Sequence, residues 1–239
     1  MARAGCQVEA PRESIQAQSP ARHFARLAIV VLCPTRMIYL LRHGQTEWNR
    51  DNRLQGQGNS ELTELGCAQA EQLAELLARE IAEPERFRLI SSPLKRARET
   101  AESIARKLAL PIEYDARLAE VALGEWEGRL HDEVLRENAS LLAGSTPYDW
   151  YFRAPGGETF EAMMSRVSGW MRESGKQNLI AVCHGMSGRF VRGLYANLDR
   201  ETMLLLPVPQ DGFYLLDGGR ITFVSATKEL PNPRGTSSR

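Results

Sequence analysis

The stretch MIYLLRHGQTEWN, residues 37–49, decides how this chain is read. Its first half is a short, almost unbroken apolar run, the pattern of a strand buried on both faces. The run ends on Arg42 and His43, a cation beside an imidazole, and Gly44 follows. A strand that only fills a core has no need of that ending. Guanidinium is the best side-chain fork for phosphate oxygens, and an imidazole is partly neutral at physiological pH. Gly44 is expected to let backbone approach a ligand closely. Thr46 and Asn49 add neutral polar groups within the next turn. About 140 residues later NLIAVCHG (178–185) repeats the scheme, a buried strand ending in His184 and Gly185.

Outward from these two strands, α and β signals alternate. Thr63 can cap a helix through residue 80, where Leu73, Leu76, Leu77 and Ile81 share a face. FRLISS (87–92) reads as a strand, and Pro93 opens a helix through Lys107. IEYDARL (112–118) reads as a third, more polar strand. Residues 128–153 form a polar, partly helical excursion. A helix is expected over 157–173, with Phe160, Met163, Val167 and Trp170 on one face, and another from the CHG segment through Tyr195. The chain closes on a hairpin around Asp217-Gly218-Gly219. Such alternation predicts a mostly parallel sheet covered by helices on both faces, with the ligand beyond the carboxyl ends of the strands. Arg42-His43, Ser91-Ser92 and Cys183-His184 should meet on that one edge.

Composition narrows the class. The chain of 239 residues has 30 Lys+Arg and 30 Asp+Glu, so no net field draws it to nucleic acid or an anionic membrane. An anion site has to be built locally. Cys6, Cys33, Cys67 and Cys183 stand apart without a CxxC pair, which argues against a zinc site or a disulfide framework and for a cytoplasmic setting. LAIVVLC (27–33) is too short to span a bilayer. Residues 1–36 are polar and aperiodic and are read as a disordered N-terminal extension, or as sequence upstream of a start at Met37. Residues 37–228 are expected to form one folded domain that carries the strand ends, and 229–239 a tail. Nothing in the sequence speaks to oligomeric state.

Five segments, LLRHGQTEWN (40–49), SSPLKRARET (91–100), LAEVALGEWEG (118–128), PGGETF (155–160) and AVCHG (181–185), resemble in order and spacing the histidine phosphatase superfamily, in its phosphoglycerate mutase-like branch. The resemblance implies a three-layer α/β/α sandwich. It implies that His43 takes the phosphoryl group as a phosphohistidine, with its other ring nitrogen held by a backbone carbonyl. It implies that Arg42, Arg96 and His184 surround the phosphoryl oxygens, His184 best when protonated by a bound phosphate. Glu120 would give a proton to the leaving alkoxide and take one from water, and Gly44, Thr46 and Asn49 would contact phosphate or substrate. Neither metal nor cofactor is implied, and the partner would be a small phosphorylated substrate.

GEWEG and the short excursion are closer to the phosphatase members than to the mutases, which leaves mutase action, or phospholigand binding without turnover, as alternatives. Two departures from the family pattern stand out. Cys183 replaces a usual Ser or Thr and could be an oxidisable thiol or a buried filler. Glu61 could repel a heavily charged substrate or face solvent. Trp150, Tyr151 and Phe152, with Arg153 at the rim, could wall a substrate pocket or anchor the loop.

Overall fold

The computed structural model describes residues 36–226. The expected extension and tail, and the run LAIVVLC, lie outside the described residues, with one exception. Arg36, assigned to the extension, is buried, and its guanidinium donates to Ser174 Oγ at 2.8 Å and to the Met171 carbonyl at 3.0 Å. The folded unit therefore includes Arg36.

The strands are β1 (Ile38–Arg42), β2 (Phe87–Ser91), β3 (Ile112–Tyr114), β4 (Asn178–Cys183), β5 (Gly212–Asp217) and β6 (Arg220–Ser225), in the sheet order β3-β2-β4-β1-β5-β6. The first four in that order run parallel, and β5 and β6 are antiparallel. The helices are α1 (Glu47–Arg50), α2 (Glu64–Glu80), α3 (Lys95–Leu108), α4 (His131–Glu137), α5 (Phe160–Glu173), α6 (Gly185–Tyr195) and α7 (Arg200–Leu204). This is the expected three-layer arrangement with a mostly parallel sheet.

The period of two in the strands divides the core. Tyr39 and Leu41 of β1, with Ile180 and Val182 of β4, face Leu73 and Leu77 of α2 and Ile104 of α3. Ile38 and Leu40, with Leu179 and Ala181, face Met163, Val167 and Trp170 of α5 and Phe190 of α6. Both faces are dry, which is why the strands are apolar at successive positions rather than at alternate ones.

Boundaries moved where local hydrogen bonds competed. The third strand stops at Tyr114 rather than 118, because the Asp115 side chain accepts from Arg117 N at 2.9 Å and starts a 3-10 turn, Ala116–Leu118. α3 begins at Lys95, two residues past Pro93, and α5 begins at Phe160 because the Thr159 hydroxyl caps it. Thr63 caps α2 as its sequence predicts, accepting from Gly66 N at 3.0 Å. Gly218 and Gly219 form the hairpin turn at φ +52° and +81°, a conformation that favours glycine. α7 was not anticipated. The Asp199 carboxylate caps it by accepting from Thr202 N at 2.9 Å.

Parallel pairing of β1 with β4 and of β4 with β2 brings three strand ends to one edge. There His43 N donates to the Cys183 carbonyl at 3.1 Å and Ser92 N to the Val182 carbonyl at 2.9 Å. No helix among the described residues is long and apolar enough to cross a membrane.

Candidate active site

His43 follows β1 and is 2 % exposed. Its Nδ1 lies 2.7 Å from the Gly44 carbonyl, and Arg96 Nε donates to its Nε2 at 3.2 Å. A carbonyl only accepts and a guanidinium only donates. The two neighbours therefore fix the neutral imidazole with its proton on Nδ1 and a lone pair on Nε2. Burial, then the Arg96 and Arg42 cations, hold its pKa well below the usual imidazole range.

Arg96 enters from the first turn of α3 and is 1 % exposed. Besides His43 it donates to the Gly58 carbonyl at 2.8 Å and the Gly56 carbonyl at 2.7 Å. Burial lowers its pKa to about 10, so it remains a cation at neutral pH. Arg42 donates to the Val208 carbonyl at 2.7 Å. The 206–208 segment that supplies this carbonyl is itself held by Arg189 and Arg192 of α6, through the carbonyls of Leu206 and Pro207.

His184, at the N-terminus of α6, places its ring centroid 5.0 Å from that of His43. Its Nε2 lies 2.7 Å from Ser92 Oγ. The buried Arg42 Nε makes no hydrogen bond to the described protein atoms and, as a guanidinium N–H, keeps a donor for an anion. Burial first, then Arg96, His43 and Arg42, push the His184 pKa well below its ordinary value. Its protonated form, implied by the resemblance for the phosphate-bound state, is not the one these surroundings favour.

Glu120 sits in the turn after the short 3-10 segment. Its carboxylate accepts from Val121 N at 3.0 Å, Met186 N at 3.0 and 3.1 Å, and Ser187 N at 3.1 Å. The positive end of α6 thus holds it in place.

A cavity of about 170 Å³ is lined by Arg42, His43, Asn49, Arg96 and Glu120. The rest of its lining is mostly polar, with Asn52, Arg53, Gln55, His131 and Tyr151 beside Leu54 and Leu123. Burial raises the Tyr151 phenol to about 12, so it is a neutral hydroxyl.

Gly44, Thr46 and His184 are not among the residues that line this cavity, and His184 is 1 % exposed. Gly44 N donates to Thr100 Oγ1 at 3.1 Å, and a Cβ on Gly44 would meet the Gly66 carbonyl oxygen at 2.2 Å. This glycine serves backbone packing against α2 rather than ligand approach. Gly44→Ala should cost about 3 kcal/mol or more, because rigid main chain has to move; urea unfolding would measure it. Thr46 is fully buried, and its hydroxyl accepts from Asn49 N at 3.1 Å and Gln55 Nε2 at 2.7 Å. It caps α1 and orients Gln55.

Other expectations resolve similarly. Cys183 donates to the Leu41 carbonyl at 3.3 Å, and burial raises its thiol to about 12, which removes the basis for an oxidisable thiolate. Glu61 pairs with Lys95 on the surface and is absent from the cavity lining. Of the loop aromatics, Tyr151 reaches the cavity. Trp150 packs on Trp126, and Phe152 on Phe160 and Phe190, as anchors. Arg153 binds the Leu141 and Ala143 carbonyls instead of a substrate rim.

The sequence reading missed several residues. Ser92 was seen only as a strand end. Gln55 lies in RLQGQG (53–58), whose paired glycines signal a turn but not its partner. Gln210 Nε2 donates to the His43 carbonyl at 2.9 Å from a loop with no local signal at all.

A family model for the histidine phosphatase superfamily (branch 1) matches residues 38–225. The chain belongs to the histidine phosphatase superfamily. As a histidine phosphatase family member it is an enzyme of the phosphoric monoester hydrolase class. It is 33% identical over 196 residues to a glucosyl-3-phosphoglycerate phosphatase of Mycolicibacterium vanbaalenii, across 77% of this chain and 80% of that protein. A Salmonella paratyphi C protein named "Probable phosphoglycerate mutase GpmB" is 38% identical over 130 residues, 54% of this chain and 59% of the other. The solved α-ribazole phosphatase of Shigella flexneri matches with a TM-score of 0.67 at 27% identity, over 79% of this chain and 95% of that one.

Proposed function

We propose that the chain hydrolyses a small phosphomonoester in two steps through a phosphohistidine on His43, without a metal. The observation that carries this reading is the fixed tautomer of His43, with Nδ1–H on the Gly44 carbonyl and an Nε2 lone pair beside the Arg96 guanidinium. In the first step Nε2 attacks phosphorus, the bond to the leaving oxygen breaks, and Glu120 protonates that oxygen. In the second, water attacks phosphorus, the P–N bond breaks, and Glu120 takes the proton that it gives up in the next cycle. Splitting the displacement lowers each barrier. Arg42, Arg96 and His184 stabilise the charge on the equatorial oxygens, and Asn49 contributes a neutral contact at the cavity wall.

The rest of the cavity receives the remainder of the substrate. Its mostly polar lining suits a hydroxyl-rich or acidic group better than an apolar one, in line with the sugar-acid phosphate named for the Mycolicibacterium relative. The likeness to GpmB supports a second reading, transfer of the phosphoryl group to an acceptor hydroxyl instead of water. Incubation with 3-phosphoglycerate in chelator, following phosphate release and 2-phosphoglycerate in the same tubes, separates the two. Release without isomerisation is the expected result, and isomerisation with little release would reverse it.

The depressed pKa of His43 sets a pH expectation. The neutral nucleophile persists as pH falls, so the acid limb of kcat/KM assigned to His43 should lie below 6.5. Stability carries the matching sign. The unfolded chain binds protons at His43 and His184 that the folded one refuses, so this contribution is complete above the unfolded value of 6.5 and is lost as pH falls below it. Each histidine adds at most about 1.4 kcal/mol per pH unit. Urea midpoints measured from pH 7 downward should fall less steeply in His43→Asn than in the wild type.

A further inference from the structure

PGGETF was singled out by resemblance, yet none of its residues enters the chemistry above. Glu158 of this segment lies behind Glu120 and forms a two-pronged pair with Arg166 of α5, Nε to Oε1 at 2.6 Å and Nη2 to Oε2 at 2.8 Å. The pair is largely shielded, with side chains 18 % and 13 % exposed. The free edges of the same guanidinium donate to the carbonyls of Arg117 at 2.7 Å, Ala119 at 2.8 Å and Glu120 at 3.2 Å. Glu158 is tied to the same loop through its own amide, which donates to the Ala122 carbonyl at 2.9 Å.

These carbonyls end a 3-10 turn and have no repeating partner in the sheet or a helix. One planar cation donates to all three, with Gln57 Nε2 a second donor to the Glu120 carbonyl at 3.1 Å, and its carboxylate partner fixes the plane of the fork. Lysine has the charge but lacks the five fixed donors.

We infer that Arg166 and Glu158 are positioning residues for Glu120, clamping the main chain on either side of it so that its carboxylate meets both the α6 amides and the leaving oxygen. This rests on the acid role proposed for Glu120. A shift of about 1 Å at a reacting group can cost 10²-fold in rate, and the shift here would fall on proton donation alone. Phosphoryl capture by His43 and the Arg pair uses other elements.

The test compares kcat/KM, which reports phosphoryl transfer to the enzyme, for p-nitrophenyl phosphate and phenyl phosphate. The two are nearly alike in shape, but only phenoxide needs a proton to leave well. Arg166→Lys should lower phenyl phosphate turnover by about tenfold to a hundredfold and p-nitrophenyl phosphate turnover by less than about threefold. Glu158→Gln keeps one hydrogen bond to Arg166 and should show the same selectivity at smaller amplitude. It decides the matter if Arg166→Lys loses its fold by circular dichroism. An equal fall on both esters, or no fall, would overturn the positioning role. Glu120→Gln runs alongside: if that variant shows no leaving-group selectivity, the acid assignment itself fails and the positioning role falls with it, while selectivity in Glu120→Gln alone leaves the acid and removes the clamp.

Discussion

Replacing His43 by alanine should lower turnover by about 10⁴-fold or more, because the group that bonds to phosphorus is gone and water has no substitute base aimed at the same point. The loss should be uniform across esters, whatever the leaving group. It should also be silent in substrate affinity, since Arg42 and Arg96 remain to bind the phosphoryl oxygens. Brief incubation with ³²P-labelled substrate and an acid-free quench should label the wild type in a base-stable, acid-labile bond and leave His43→Ala unlabelled. A labelled alanine variant would move the nucleophile elsewhere, with His184 the first residue to examine. Removing the His43 ring also strips a partner from Arg96 Nε, but the Gly56 and Gly58 carbonyls still hold that guanidinium. The variant should therefore fold.

Glu120→Gln should lower kcat/KM by about 10²–10⁴-fold for alkyl phosphates, the range of general acid catalysis. For p-nitrophenyl phosphate, whose leaving group is stable as an anion, the loss should be small. Volume is conserved, so the contrast isolates the proton. The amide brings one complication that the structure makes visible. Both carboxylate oxygens accept from Met186 N, and Oε1 also from Val121 N and Ser187 N. Only one oxygen remains in glutamine, and its NH₂ cannot face these donors. The side chain should turn its oxygen toward α6 and its NH₂ toward the cavity, where it can donate a hydrogen bond but no proton. Dephosphorylation should slow as well, because no carboxylate takes the proton from water, so label should persist on the variant longer than on the wild type. An equal loss on all esters with no accumulation of labelled enzyme would remove Glu120 from the acid–base role.

The sequence by itself determined the scaffold. Apolar runs of five residues at β1 and β4 are two-sided strands by their pattern, β2 joins them with Phe87, Leu89 and Ile90, and the amphipathic repeats of α2 and α5 cover them. Parallel order then follows from alternation, and it places His43, Ser92 and His184 on one edge without knowledge of any contact. Thr63 and the Asp217-Gly218-Gly219 turn were legible because caps and tight turns depend on groups within a few residues of each other.

What tertiary structure decided has the opposite character, because each partner lies far away in the chain. Arg96 fixes the His43 tautomer across 53 positions, and Glu120 meets the α6 amides across 66 and 67. The local pattern around Arg96 shows three basic residues, Lys95, Arg96 and Arg98, and cannot say which one turns inward. The same limit explains the misread Gly44 and the alternatives that stayed open at Cys183 and Glu61. Gly44 carries the same residue type whether it admits a ligand or the Gly66 carbonyl, Cys183 the same thiol whether it is exposed or donates to Leu41, and Glu61 the same charge whether it faces the site or Lys95. Periodicity records which face of an element is dry. It does not record which hydrogen-bonding group of a distant element arrives there, and in this chain such arrivals complete the His43 tautomer and hold Arg96 and Glu120 in place.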